Sequence, residues 1–211
     1  MAKRRVFLDL DYTLYDTDAM IRLVRADMET LGVERGEIDR AQAIATREGY
    51  SFFRHLKLLR LPATTIRERN RTYRQLLATG DRFLLPHVHE GLKRLQEDSE
   101  LHLLTYGRPS YQRCKVRGIG CLRDVFTSEH YIWRYLTKGD VIRRYGNECP
   151  TFFLDDVSTH LEDVYRKAPL VTRVRMEWPH FPNTPHRLDE VAWQVVHSFE
   201  TFVAIVKGKT S

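Results

Sequence analysis

The hydrophobic positions of this 211-residue chain change period twice. Val6, Phe7 and Leu8 form an unbroken apolar run, the pattern of a strand covered on both faces inside a parallel sheet. From Thr17 to about Leu85 the spacing becomes helical. Met20, Ile21, Val24, Met28 and Leu31 recur at three- and four-residue steps, and Gly32 follows as a stop. Apolar groups from Ile38 to Ala45 and from Phe52 to Leu59 keep that period, and Thr65 with Glu68 has capping-box spacing ahead of "RNRTYRQLLATG". Four helices with no strand among them predict a small bundle with its own core, hence a separate lobe. After Pro86 helices alternate with short apolar strands: "EGLKRLQED", "LHLLTYG", a helix from about Pro109, "DVFTSE", "KGDVIRRYG", "TFFLDD" and "LVTRVRM". Such alternation predicts an α/β fold with a Rossmann-like parallel sheet and helices on both faces. The first strand joins this sheet, so residues 1–15 and 86–211 form the α/β core and 16–85 a helical insertion.

Composition narrows the classes without choosing one. Lys and Arg number 34 against 28 Asp and Glu, a net charge of +6 spread along the chain, which mildly favours anionic ligands. No zinc-finger spacing, RNP-like aromatic motif or block of Lys and Arg supports a nucleic-acid binder. Cys114, Cys121 and Cys149 are an odd set without a Cys-x-x-Cys pair, which indicates neither a disulfide framework nor a cysteine zinc site and suits a reducing cytoplasm. The apolar stretch after "MAKRR" is too short for a signal peptide, and no run is long enough to span a membrane.

Chemistry gathers where the strands end. Val6–Leu8 runs into Asp9 and Asp11, two residues apart and so on the same side of an extended chain. Mutual repulsion of paired carboxylates favours a bound cation, and ligands of open α/β sheets bind at the carboxyl ends of the strands. Thr105 closes "LHLLT", Asp155 and Asp156 close "TFFLDD", and Lys138 in "TKGD" opens a helix. A parallel sheet would bring two carboxylate pairs, a hydroxyl and an ammonium to one edge. Elsewhere, His87 and His89 beside Glu90 read as the polar start of a helix in preference to a metal trio. Arg54, His55 and Lys57, and the arginines of "RERNRTYR", read as polar helix faces in preference to substrate contacts.

In order and spacing, "FLDLDYTL", the threonine of "LLTYG", the lysine of "TKGD" and the acidic pair of "FFLDD" resemble the four motifs of the haloacid dehalogenase-like superfamily of phosphohydrolases, and the resemblance covers the whole chain. It implies that residues 16–85 are a helical cap. It also implies a Mg²⁺-dependent phosphatase acting on a small phosphorylated metabolite, with a phosphomutase, a nucleotidase or a non-catalytic phosphate-binding module of the same fold as alternatives. By the resemblance Asp9 attacks phosphorus, Asp11 exchanges protons with the leaving group and water, Thr105 hydrogen-bonds the phosphoryl oxygens, and Lys138 holds Asp9 and the phosphate. Asp9 gives the metal a carboxylate oxygen and Asp11 a backbone carbonyl. The fourth motif departs from its commonest form: Asp155 replaces a glycine, Asp156 takes the metal position, and His160 stands where a later acid or amide is usual. Asp156 is therefore the expected direct ligand and Asp155 its support. A dehalogenase uses no Mg²⁺ and usually lacks the second aspartate, so Asp11 argues against one.

Overall fold

A computed structural model describes residues 3–179 and 193–209. Strand β1 (Arg4–Leu8) lies in the middle of a six-stranded, all-parallel sheet with β2 (Ser99–Tyr106), β3 (Ser128–Ile132), β4 (Thr151–Asp155), β5 (Thr172–Met176) and β6 (Gln194–Val196), in the order β3-β2-β1-β4-β5-β6. Reversal of strand order beside β1 opens a crevice at the carboxyl edge, next to Asp9. Val6, Phe7 and Leu8 are fully buried because helices cover both faces of the sheet. Leu8, Leu101, Leu103 and Leu154 pack with α5 (Val88–Gln96) and α9 (Phe199–Val206) on one side. Phe7, Leu104 and Phe153 pack with α7 (Lys138–Arg143) and α8 (Ser158–Lys167) on the other.

Between β1 and β2 the chain forms α1 (Thr17–Thr30), α2 (Arg35–Arg47), α3 (Phe52–Leu58) and α4 (Ala63–Leu77). The helix anticipated from Met20 to Leu31 stops as its sequence directs, with Leu31 as cap and Gly32 in the left-handed region at φ +79°. Buried Met20, Ile21, Val24 and Met28 form its inner stripe. Two short runs of backbone connect this segment to the sheet, and they pair with each other. Tyr15 bridges Leu84, the Asp16 amide donates to the Phe83 carbonyl at 2.7 Å, and the Leu85 amide donates to the Leu14 carbonyl at 3.0 Å. The buried side chains of the helical segment join those of α5 and α9 in one continuous cluster.

Three local expectations need correction. Thr65 caps nothing: α4 begins after Pro62, whose fixed φ prepares the first turn, and Thr65 lies inside the helix. The strand read in "DVFTSE" starts later and runs Ser128–Ile132. Val125 and Phe126 are bent into the preceding loop, where the Val125 amide donates to the Leu122 carbonyl. His55, read with Arg54 and Lys57 as one polar face, is fully buried. Tyr50 Oη lies 3.1 Å from its Nδ1 and the Ile38 carbonyl 3.2 Å from its Nε2, while Arg54 reaches back to Glu48.

Candidate functional site

Asp9 stands one residue past β1, and its amide donates to the Leu154 carbonyl at 3.0 Å, which fixes it beside the end of β4. β4 closes with Asp155, followed by Asp156, and Thr105 lies near the end of β2. One carboxylate oxygen from each of Asp9, Asp155 and Asp156 lies within 4.8 Å of the others, the sole cluster of this kind among the described residues. His87, His89 and Glu90 form none. His87 is exposed in a left-handed cap conformation, with its ring 3.8 Å from Glu200.

Lys138 crosses the cluster from α7. Its buried Nζ donates to Asp9 Oδ1 and to Asp155 Oδ2, each at 2.5 Å. The sequence makes this reach possible by fixing the start of α7. Thr137 and Asp140 form a capping box, and the Gly139 amide donates to Asp163 on α8 at 2.8 Å, where any Cβ on Gly139 would come within 2.7 Å of the same carboxylate.

The three carboxylates are not equivalent. Asp155 is saturated: beside Lys138 it accepts the Val157 amide at 2.8 Å and lies 3.2 Å from His160 Nδ1 through both oxygens. Burial works against its charge, but Lys138 and His160 outweigh burial and hold the carboxyl well below its ordinary value. Asp9 is pushed up to about 6, by burial first and then by Asp155 and Asp11, with Lys138 opposing. Asp156 is raised by burial and by the charges of Asp155 and Asp9. Two carboxyls whose ionisation is penalised side by side, with oxygen donors only, form a donor set that a hard divalent cation satisfies. Thr105 Oγ1, fully buried, has no hydrogen-bond partner among the described residues. An unpaired buried hydroxyl at this edge is the kind of group a bound oxyanion completes.

Asp11 lies apart from that cluster and carries a network of its own. Lys115 and Thr17 both donate to its Oδ1, and Gln112 Nε2 donates to its Oδ2 at 2.7 Å. Burial raises this carboxyl, but Lys115, Thr17 and Gln112 together bring it below the ordinary value. Gln112, Lys115 and Thr17 did not stand out in the sequence. The available signal was a glutamine and a lysine three apart on α6 (Pro109–Arg117), on the inward face that also carries Val116. Helix amphipathicity alone assigns such residues to solvent.

No protein-family model matches this chain and no curated protein does. Solved structures do. A haloacid dehalogenase-like hydrolase of Burkholderia xenovorans aligns over 99% of both chains with a TM-score of 0.76 at 17% identity. The fold is that of the haloacid dehalogenase-like hydrolases. YfnB of Bacillus subtilis, a HAD-hydrolase bound to magnesium in a structure that reveals interdomain movement, aligns over 98% of this chain and 99% of its own with a TM-score of 0.64 at 18% identity. A 2-haloacid dehalogenase of Pseudomonas syringae aligns over 100% of both chains with a TM-score of 0.62 at 15% identity. The haloacid dehalogenase-like fold accounts for the strand order. One fold carries more than one chemistry, so the side chains of the site decide the reaction.

Proposed function

We propose that the protein is a Mg²⁺-dependent phosphatase that hydrolyses a small phosphorylated metabolite through an aspartyl-phosphate on Asp9. The observation that carries this reading is the oxygen cluster of Asp9, Asp155 and Asp156 with Lys138 across it, beside a second aspartate, Asp11, held in a network of its own. Asp9, Asp156 and the backbone carbonyl of Asp11 would hold the cation, which when bound offsets phosphate charge as a Lewis acid. Asp155 would act through others, since its oxygens are already committed to Lys138, Val157 and His160.

An oxygen of Asp9 attacks phosphorus as the ester oxygen departs, and Lys138 stabilises both the attacking carboxylate and the phosphoryl oxygens. Thr105 Oγ1 donates to one of those oxygens. Asp11 in its protonated form gives the departing alkoxide a proton, and the carboxylate so formed takes one from the water that attacks the aspartyl-phosphate, which restores protonated Asp11 and free Asp9. The ionised form held by Lys115 and Gln112 is the one this second half-reaction needs. The helical segment 16–85 would act as a cap, closing over the phosphate and excluding water from the reacting atoms.

Phosphate release from an aryl phosphate and from a panel of metabolite monophosphates, with Mg²⁺ and with excess EDTA, tests the proposal. Turnover should require the cation, because two carboxylates facing a phosphate otherwise repel it. Full activity in EDTA, or release of halide from a 2-haloacid, would overturn the assignment.

A further inference from the structure

Above Asp11, where α1, α2 and the turn after α2 face β2 and α6, lies a pocket of about 210 Å³. One side is largely aromatic and aliphatic. Tyr50 and Tyr111 pack edge to face with centroids 5.7 Å apart, and Met20 and Ile21 continue the surface. The other side offers acceptors. Gln112 Nε2 donates both to Asp11 Oδ2 at 2.7 Å and to the Tyr106 carbonyl at 3.0 Å, which fixes the orientation of the carboxamide. Its Oε1 is buried without a hydrogen-bond partner among the described residues, as is that of Gln42 on α2, and both residues line the pocket. Two unpaired carbonyl oxygens in one pocket call for donors on whatever enters.

The charges in the pocket cancel. Lys115 lines it, but its Nζ is paired with Asp11 and sits over the rings of Tyr15 at 4.9 Å and Tyr111 at 5.5 Å. No other lining residue is cationic. A substrate carboxylate here would meet two carbonyl oxygens, Asp11 and a lysine already neutralised, and would lose its hydration for nothing. The size is also selective, since a dry cavity of roughly 150 Å³ accommodates benzene.

Resting on the phosphatase reading, we infer that the leaving group is a neutral, single-ring alcohol: one face packs on Tyr50 and Tyr111 and one donor-bearing edge is read by Gln42 and Gln112. Monophosphates of organic acids are then poor substrates. Both a pyranose and a six-membered aromatic alcohol present an apolar face and a hydroxyl edge.

The test compares kcat/KM, with Mg²⁺, for pyranose phosphates, hydroxymethyl-pyridine phosphates, phosphoglycolate and 3-phosphoglycerate, with ringless acetyl phosphate as reference. One of the two ring classes should exceed both acid phosphates by at least about tenfold, the worth of one to two hydrogen bonds, and which class leads identifies the ring. Gln42→Leu should lower the ratio of ring substrate to acetyl phosphate about five- to tenfold. Equal or better turnover of the acid phosphates, or an unchanged ratio in Gln42→Leu, overturns the inference. If none of these phosphates is hydrolysed, the phosphatase reading fails. Saturation-transfer NMR with free pyranoses, pyridine methanols and glycolate then decides the pocket's preference alone: contact by a ring alcohol and none by glycolate upholds it, and the reverse overturns it.

Discussion

Asp9 and Asp11 differ by two positions in the chain and by almost everything in their surroundings. Asp9 shares its volume with two more carboxylates and one ammonium, whereas Asp11 has an ammonium, a hydroxyl and a carboxamide to itself. Replacement by asparagine should therefore separate them. On the proposed mechanism Asp9→Asn exchanges the nucleophilic carboxylate for an uncharged amide, so turnover should be lost and Mg²⁺ binding weakened. Asp11→Asn keeps the shape and the main-chain carbonyl, so calorimetry should still show Mg²⁺ binding with beryllofluoride while the rate falls by about 10² to 10⁴. Normal turnover in Asp11→Asn would show that the proton-transfer role is misassigned. Lys138 makes a second residue-scale prediction. Its side chain is 1% exposed between Asp9 and Asp155, and Lys138→Met would leave two carboxylates facing each other without the ammonium that bridges them. Breaking a buried pair in this way costs about 3–5 kcal/mol. Urea unfolding without metal should show a loss of that order, and added Mg²⁺ should recover part of it because a cation then occupies the same electrostatic position.

At the scale of elements, the turn between α2 and α3 meets the loop after β3. Gly49, at φ +76°, lies so close to Trp133 that a Cβ would come within 1.8 Å of the indole, and Arg108 donates from Nε to the Gly49 carbonyl at 3.0 Å. Only glycine meets both the backbone conformation and the close approach. Gly49→Ala should push the turn off the indole and destabilise the protein by about 1–3 kcal/mol, as overpacking does. Increased proteolytic cleavage within 47–52, measured on the folded protein, is the accompanying outcome. Unaltered urea unfolding and proteolysis would mean that the turn moves away at no cost. Elements with strong internal punctuation, such as α1 ending at Gly32, agree with their sequence pattern. Strand β3 does not, since "DVFTSE" and "SEHYI" are equally strand-like and the register with His102–Tyr106 selects the second.

Across the whole molecule, two buried histidines give stability a dependence on acid. His55 in the helical segment and His102 on β2 are both depressed from 6.5 to about 4. Burial is the main cause in each, with the charges of Arg5 and His130 adding to it at His102. At these two sites the unfolded chain binds protons that the folded chain refuses, so their share of the stability is complete above pH about 6.5 and declines as pH falls toward about 4, while Asp9, raised to about 6, works in the opposite direction in the same window. Relative to the wild type, urea midpoints of His102→Gln should improve as pH is lowered from 7 to 4.5, because the variant lacks one site that resists protonation; parallel profiles would place the acid sensitivity elsewhere. The sequence by itself determined the alternating strands and helices, the long helical stretch between the first two strands, and the order of Asp9, Asp11, Thr105, Lys138, Asp155 and Asp156 along the chain. It could do so because apolar period and strand-end position are local properties of a chain. Tertiary structure alone decided that Asp155 is saturated by Lys138, His160 and the Val157 amide, that Asp156 and Asp9 bear the unrelieved charge, and that Gln112, Lys115 and Thr17 hold Asp11. Those partners come from four helices, and Gln112 and Lys115 stand about 100 positions from the carboxylate they hold. Their roles are set by distance and desolvation across the closed fold, neither of which the chain records until β1, β2 and β4 lie side by side.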